Sequence, residues 1–484
     1  MTNGSIFSPD LRDLIVKALP EETSRYGTAP ELRHTYLPTA HVKALHPDNM
    51  LVVGIRGSGK SFWWAALQQK EHRALLGERL NISETTIIST GFGERSSPDN
   101  YPGKDVLASL MEQYEAREIW QMVVVWHVGK SLLPEFASQE KWKDRVKWVK
   151  HHPEEVERCL FSVDNELESQ DNYHLVLFDA LDRTANDWKN MHALVRGLLQ
   201  VLLDFRSYKR IRLKVFVRPD QIDDPSVFSF PDSSKIRSQR TELNWPLKEL
   251  YGLFWQYLGN ESNNGNIFRD GCVQLTSTEW KQKDGVWIVP EILRTDEETQ
   301  RKVFHAMTGP WMGRDRRRGF PYTWLPNHLG DARRQVSPRS FLAALRHAAT
   351  DRPREDQKYA LHYESIKHGV QAASQIRVNE IQEDYPWVGE LFEPLSGISV
   401  PCKFKEIQQK WEENGVLKGL EKEISATDIR LPPEHIKSGP EGVLKDLNTL
   451  GLVELMSDGR VNLPDVYRVG YRMGRRGGVK PMAR

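Results

Sequence analysis

The chain has 484 residues, 39% hydrophobic and 27% charged, which is room for two or three domains at about 100–200 residues each. Lysine plus arginine number 67 against 66 acidic residues, a formal net charge of +1. That balance excludes a polybasic nucleic-acid coat protein and an acidic solvating chain, and still allows a local basic patch. Cys159, Cys272 and Cys402 are far apart with no Cys-x-x-Cys spacing, which argues against a disulfide framework and a cysteine zinc site. No run of about 18 apolar residues occurs, so no membrane span and no membrane partner are expected. The N-terminal residues lack the basic and apolar regions of a signal peptide. The expectation is a soluble cytoplasmic protein.

Residues 1–47 carry Pro20, Pro30, Pro38 and Pro47, which break any long helix, and are read as a lead segment packing on the next domain. Residues 50–53 (MLVV) form a short apolar run that ends at glycines, the pattern of a buried strand leaving into a loop. Residues 62–68 then read as a helix. Further strands are expected at 85–89, 122–126, 175–178 and 213–217, with helical patterns between them at 105–120 and 188–205. Strands alternating with helices predict an α/β fold, a parallel sheet covered on both faces. Residues 130–170 read as a helical insertion, 243–258 as an amphipathic helix, 259–270 as an exposed turn-forming segment and 335–349 as another helix. The core is thus placed at 48–260, a helical lid region at 261–390 and a separate C-terminal unit at 391–484.

Residues 54–61, Gly-Ile-Arg-Gly-Ser-Gly-Lys-Ser, match the pattern G-x-x-x-x-G-K-[ST] in full, after a strand and before a helix. Glycines let the backbone curl so that its N–H groups point inward at phosphate oxygens, and a helix start adds its positive dipole end. Gly54, Gly57, Ser58, Gly59, Lys60, Ser61 and Phe62 are the candidate nucleotide-binding residues, with Lys60 reaching the β- and γ-phosphates of ATP. Ser61 is a candidate Mg²⁺ ligand through its hydroxyl.

Such a loop needs a carboxylate on a neighbouring strand to place the metal. Residues 175–179 supply it as four apolar residues followed by Asp179, the second candidate Mg²⁺ ligand. Asp182 is the next acid along. It is read as the base that orients the attacking water, or as the cap of the following helix. Arg218 ends the strand at 213–217. If that strand lies between the other two, Arg218 sits beside the γ-phosphate; the alternative is a surface ion pair.

The segments GIRGSGKS (54–61), LVLFDALDR (175–183) and KVFVRPD (214–220), followed by LNWPLKELYGLFWQYL (243–258), resemble the ASCE division of P-loop ATPases. Within it they are similar to the STAND and KAP groups, bacterial relatives of AAA+ proteins. The Leu181-Asp182-Arg183 ending resembles KAP proteins; Arg218-Pro219 and Leu243-x-Trp245 resemble STAND proteins. The resemblance implies an ATP-hydrolysing switch that oligomerises or regulates a partner protein, in a setting such as antiphage defence. Two departures stand out. Ala180 occupies the position where many such ATPases carry glutamate, and the membrane spans common in KAP proteins are missing. The first leaves open a scaffold that binds ATP and cleaves it little.

AAA+ relatives place an arginine at the start of a lid helix against the nucleotide, and Arg339, after Ser337 and Pro338, resembles it. Pairing with a nearby carboxylate is the plainer reading. Arg314, Arg316, Arg317 and Arg318 crowd one loop, which reads as an arginine finger, a contact to nucleic-acid phosphates, or a solvated basic turn. Residues 441–450 read as a helix ending at Gly451, followed by a hairpin over 453–464, an order similar to a winged helix-turn-helix. The tail interleaves tyrosine with Arg468, Arg472, Arg475, Arg476 and Lys480, which suits nucleic-acid contact or docking on an acidic surface.

Overall fold

Five short runs form the strands of an all-parallel sheet: β1 (Leu51–Val53), β2 (Ile87–Phe92), β3 (His174–Phe178), β4 (Ile211–Val217) and β5 (Thr241–Glu242), in the order β2-β3-β4-β1-β5. Leu51, Val52 and Val53 are each no more than 3% exposed. A strand covered on both faces reads as an unbroken apolar run, and this one does. Register runs Leu51 with Val215 and Val53 with Val217 on one side, and Val53 with Glu242 on the other. β4 therefore lies between β1 and β3, where it pairs Phe178 with Val215. This is an α/β fold with a five-stranded parallel sheet, consistent with the core of a P-loop NTPase.

The computed structural model describes residues 7–21, 30–352, 358–426, 429–475 and 479–481. The chain forms two compact units. The sheet unit holds Leu37–Asn244; the second unit holds Glu31–Tyr36 and Trp245–Arg484 together with the described N-terminal residues.

Within the sheet unit, residues 122–126 were expected as a strand and are helical. They lie inside Ala116–Gly129, where Met122, Val123, Val124 and Val125 have no exposed surface. A helix buried on every side shows the same continuous apolar run as a buried strand. Its start is marked by the Glu118 carboxylate accepting from the Glu115 N–H at 3.1 Å. Close packing on Trp188–Asp204 follows from Gly197, where a Cβ would meet the Cβ of Ala116 at 2.5 Å. The expected helix at 105–120 is two helices, Lys104–Met111 and the start of Ala116–Gly129. The insertion at 130–170 consists of the helices Pro134–Ala137, Trp142–His151 and Pro153–Ser169.

The second unit is mostly helical, around an apolar core that includes Tyr251, Trp255, Phe268, Phe304 and Phe341. The segment at 259–270 is only half loop. Gly265–Thr276 is a helix, because Phe268 and Cys272 have no exposed surface and draw the chain into that core. A two-stranded hairpin, β6 (Lys281–Lys283) and β7 (Val286–Ile288), follows. A three-stranded antiparallel sheet, β8 (Cys402–Lys403), β9 (Glu454–Leu455) and β10 (Arg460–Asn462), has β10 in the middle. The helices Phe404–Glu413, Val416–Ala426 and Gly439–Thr449 separate β8 from β9. All three cysteines are buried thiols. Among the described residues no helix is long and apolar enough to cross a membrane.

Candidate functional site

β1 stays paired to the point where the loop begins: the Gly54 N–H donates to the Val217 carbonyl at 3.0 Å. Gly57 and Gly59 have φ of 79° and 99°, a region open to glycine at no steric cost. The Ser58 N–H closes on the Ile55 carbonyl at 3.1 Å, so the loop curls back on itself. The helix Lys60–Gln68 begins at once, and Gly59 at its N-cap offers no side chain to its first N–H groups. An anion is the natural acceptor for such donors.

Lys60 leans back over this loop. Its Nζ donates to the carbonyls of Gly54 at 2.7 Å and Ile55 at 2.9 Å. Desolvation lowers its pKa to about 8; the Asp179 carboxylate opposes that shift and the Arg218 guanidinium adds to it. Asp179, at the exit of β3, is 5% exposed, and its N–H donates to the Phe92 carbonyl of β2 at 3.1 Å. Burial pushes its carboxyl above the ordinary range, while the Ser61 hydroxyl bonded to it and the charge of Lys60 pull it down. The loop lysine, the loop serine and the strand-end carboxylate thus converge. A hydroxyl and a carboxylate are oxygen donors of the kind Mg²⁺ takes.

Arg218 leaves the end of β4, the strand between the other two, and is 8% exposed. It faces two carboxylates, Asp220 at 3.5 Å and Asp182 at 3.9 Å. Asp182 lies in the short 3-10 turn Leu181–Arg183 that follows Ala180. Ala180 itself has φ 57° and ψ 34°, the left-handed region that costs a residue with a Cβ about 1–2 kcal/mol.

One charged residue here was missed from sequence. Glu94 lies just past the end of β2 and pairs with Arg183. Its carboxyl is raised by burial; Arg183 opposes the shift, and Asp182 and Asp179 add to it. Placing the strand at 85–89 hid it, since an acid five residues beyond a strand looks like surface loop. The true strand ends at Phe92, so Glu94 stands at the same sheet edge as Asp179.

The remaining candidates belong to the second unit. Arg339 follows Pro338 at the start of the helix Pro338–Thr350, and its Nη1 pairs with Glu380 at 2.6 Å. Arg314, Arg316, Arg317 and Arg318 are all exposed, and none pairs with a carboxylate among the described residues. The basic tail is less available than its sequence suggests. Arg468 is fully buried: it bonds Asp465 at 2.7 Å and the carbonyls of Met473 at 2.9 Å and Val479 at 2.7 Å, so it cannot meet a nucleic acid. Arg475 is half-buried and bonds the same Asp465 at 2.9 Å. Arg472 and Lys480 are exposed. Arg476 lies outside the described residues.

No family model and no curated protein matches the chain. Among solved structures, that of the Aeropyrum pernix ORC2 protein, determined as ADPNP-ADP complexes, is similar at 13% identity, covering 90% of this chain and 93% of that one, with a TM-score of 0.27. The fold stands on the strand order and loop geometry of this chain itself.

Proposed function

We propose that the sheet unit binds ATP with Mg²⁺ and hydrolyses it, and that the protein works as an ATP-dependent switch. The observation that supports this most is the convergence of Lys60 and Ser61 on Asp179 beside a loop whose N–H groups have no side-chain cap. In this reading the N–H groups of Gly57 to Phe62 cradle the β- and γ-phosphates. Lys60 leaves the carbonyls of its own loop for the γ-phosphate. Ser61 and Asp179 hold the metal, which neutralises charge on the phosphate oxygens when bound. Arg218, already balanced by Asp182 and Asp220, stabilises negative charge that develops in the transition state. Phosphate release by wild type and Lys60→Ala tests it; equal rates would remove the assignment.

The motif likeness to STAND and KAP proteins supports a switch output, a change in oligomerisation or in grip on a partner protein, in bacterial defence. Mass measured with and without a non-hydrolysable ATP analogue tests the oligomer.

Nucleic-acid contact is the second reading, and the exposed arginines at 314 and 316–318, which pair with no carboxylate among the described residues, favour it. The order of β8, helices, β9 and β10 in one antiparallel sheet adds support, since it is similar to a winged helix-turn-helix with one helix more between the first two strands. Contact to phosphates predicts binding that falls steeply with salt. Binding unchanged between low and moderate salt would count against it.

A further inference from the structure

We propose that Glu94, rather than Asp182, is the carboxylate that orients and deprotonates the attacking water, so that the base usually carried after the metal acid has moved to the neighbouring strand. This rests on the ATPase reading above.

Three observations carry it. First, the usual position is filled by Ala180, which has no acid to offer and whose left-handed backbone turns the chain sharply away from β3. Second, Asp182 sits in the 3-10 turn beyond Ala180 and faces Arg218 at 3.9 Å; Glu94 too has a guanidinium partner, Arg183, so it is position relative to Asp179 that separates the two acids. Third, Glu94 is placed where the missing acid is needed. β2 and β3 are adjacent and parallel, with Phe92 opposite Phe178. The Asp179 N–H bonds to Phe92, two residues before Glu94. Glu94 and Asp179 therefore leave the sheet side by side, and Glu94 is also within electrostatic reach of Arg56 in the phosphate loop. Gly93 fixes the path of the chain, since a Cβ there would meet the Trp64 ring of the loop helix at 2.7 Å. The Glu94 side chain is 17% exposed, sheltered and still open to water. Burial raises its proton affinity, which suits a base acting near neutral pH.

In the step itself, the water oxygen bonds to the γ-phosphorus as the bond from that phosphorus to the β,γ-bridging oxygen breaks. The leaving ADP keeps the electron pair. Glu94 takes the water proton and returns it to solvent. Arg183 pairs with Glu94 in this structure, and the carboxylate must leave that pair before it takes the proton.

The test measures ATP binding with a fluorescent analogue and phosphate release for wild type, Lys60→Ala, Glu94→Gln, Asp182→Asn and Arg183→Gln, with thermal unfolding to check that each is folded. Glu94→Gln is expected to bind nucleotide like wild type and lose at least 100-fold in turnover. Asp182→Asn and Arg183→Gln are expected to stay within tenfold of wild type. Glu94→Gln turning over within threefold of wild type, while Lys60→Ala is dead, overturns the Glu94 role and leaves the ATPase reading intact. An equal loss in Arg183→Gln also overturns it, because the ion pair alone would then matter. Wild-type protein that binds ATP and releases no phosphate removes hydrolysis and the Glu94 role together.

Discussion

Two cations, half-buried Lys60 in the sheet unit and fully buried Arg468 in the second unit, differ in how their charge is answered. Arg468 has a carboxylate and two carbonyls fixed around it, from Asp465, Met473 and Val479. Its charge is neutralised and its geometry closed. Lys60 has two carbonyls of its own loop and, among the described residues, no carboxylate within ion-pair distance; Asp179 takes its hydrogen bond from Ser61 instead. A cation that holds a fold together is fully answered in place; in the proposed ATP-binding reading, Lys60 is left partly unanswered for a phosphate to complete. Desolvation brings its pKa to about 8, and the Asp179 carboxylate only partly opposes the shift.

The largest expected effect is at Lys60. Lys60→Ala is expected to lower ATP turnover about a thousandfold, of the order found when a transition-state charge donor is removed. Its melting temperature should change little, since a poorly solvated charge is lost along with two hydrogen bonds. A large fall in melting temperature would place Lys60 with Arg468. At Arg468 the reverse holds. Arg468→Leu leaves Asp465 with Arg475 alone and the carbonyls of Met473 and Val479 without their donor, and should cost about 3 kcal/mol in urea unfolding, while nucleotide affinity of the folded protein stays within threefold. Full stability in that variant would contradict the closed geometry.

A third group sharpens the contrast by being neutral. His41 accepts from Trp63 Nε1 at Nδ1 and meets the Asn244 carbonyl through Nε2, both at 3.1 Å, so one tautomer satisfies both. Burial holds its pKa at about 3, below the ordinary 6.5. As pH falls, the unfolded chain takes up this proton first. The stabilisation is therefore complete above pH 6.5 and is lost between 6.5 and about 3. By pH 5 the loss from this ring is about 2 kcal/mol. Urea midpoints at pH 7 and pH 5 should differ less in His41→Gln than in wild type; an equal drop would reassign the effect to other histidines. The smallest effect belongs to the site side. Ala180→Gly removes a Cβ from a left-handed backbone and should raise stability by up to about 1 kcal/mol. A loss of stability there would show that the Cβ is wanted.

Legibility in the sequence followed how local the cause was. The glycine loop, Asp179 and the strand carrying Arg218 could be read because each pairs a short motif with a buried apolar run. Residues 122–126 misled because complete burial erases periodicity, and β8, two residues long, has none to show. Arg468 misled for a different reason. Its acceptors are an acid three residues away and carbonyls from Met473 and Val479, and only the folded chain brings these to one point. Glu94 was lost to a boundary error of three residues at the end of β2.

The first glycine of the loop has a consequence for anyone scanning this segment residue by residue. A methyl group at position 54 would strike the Ser58 hydroxyl and press on Leu243 Cβ at 3.3 Å, although φ there lies outside the left-handed region. Substitution at 54 will therefore score as intolerant in chains that never meet ATP. An expression or protease screen would flag Gly54 for crowding alone, and a catalytic screen would wrongly credit the same position to phosphate recognition.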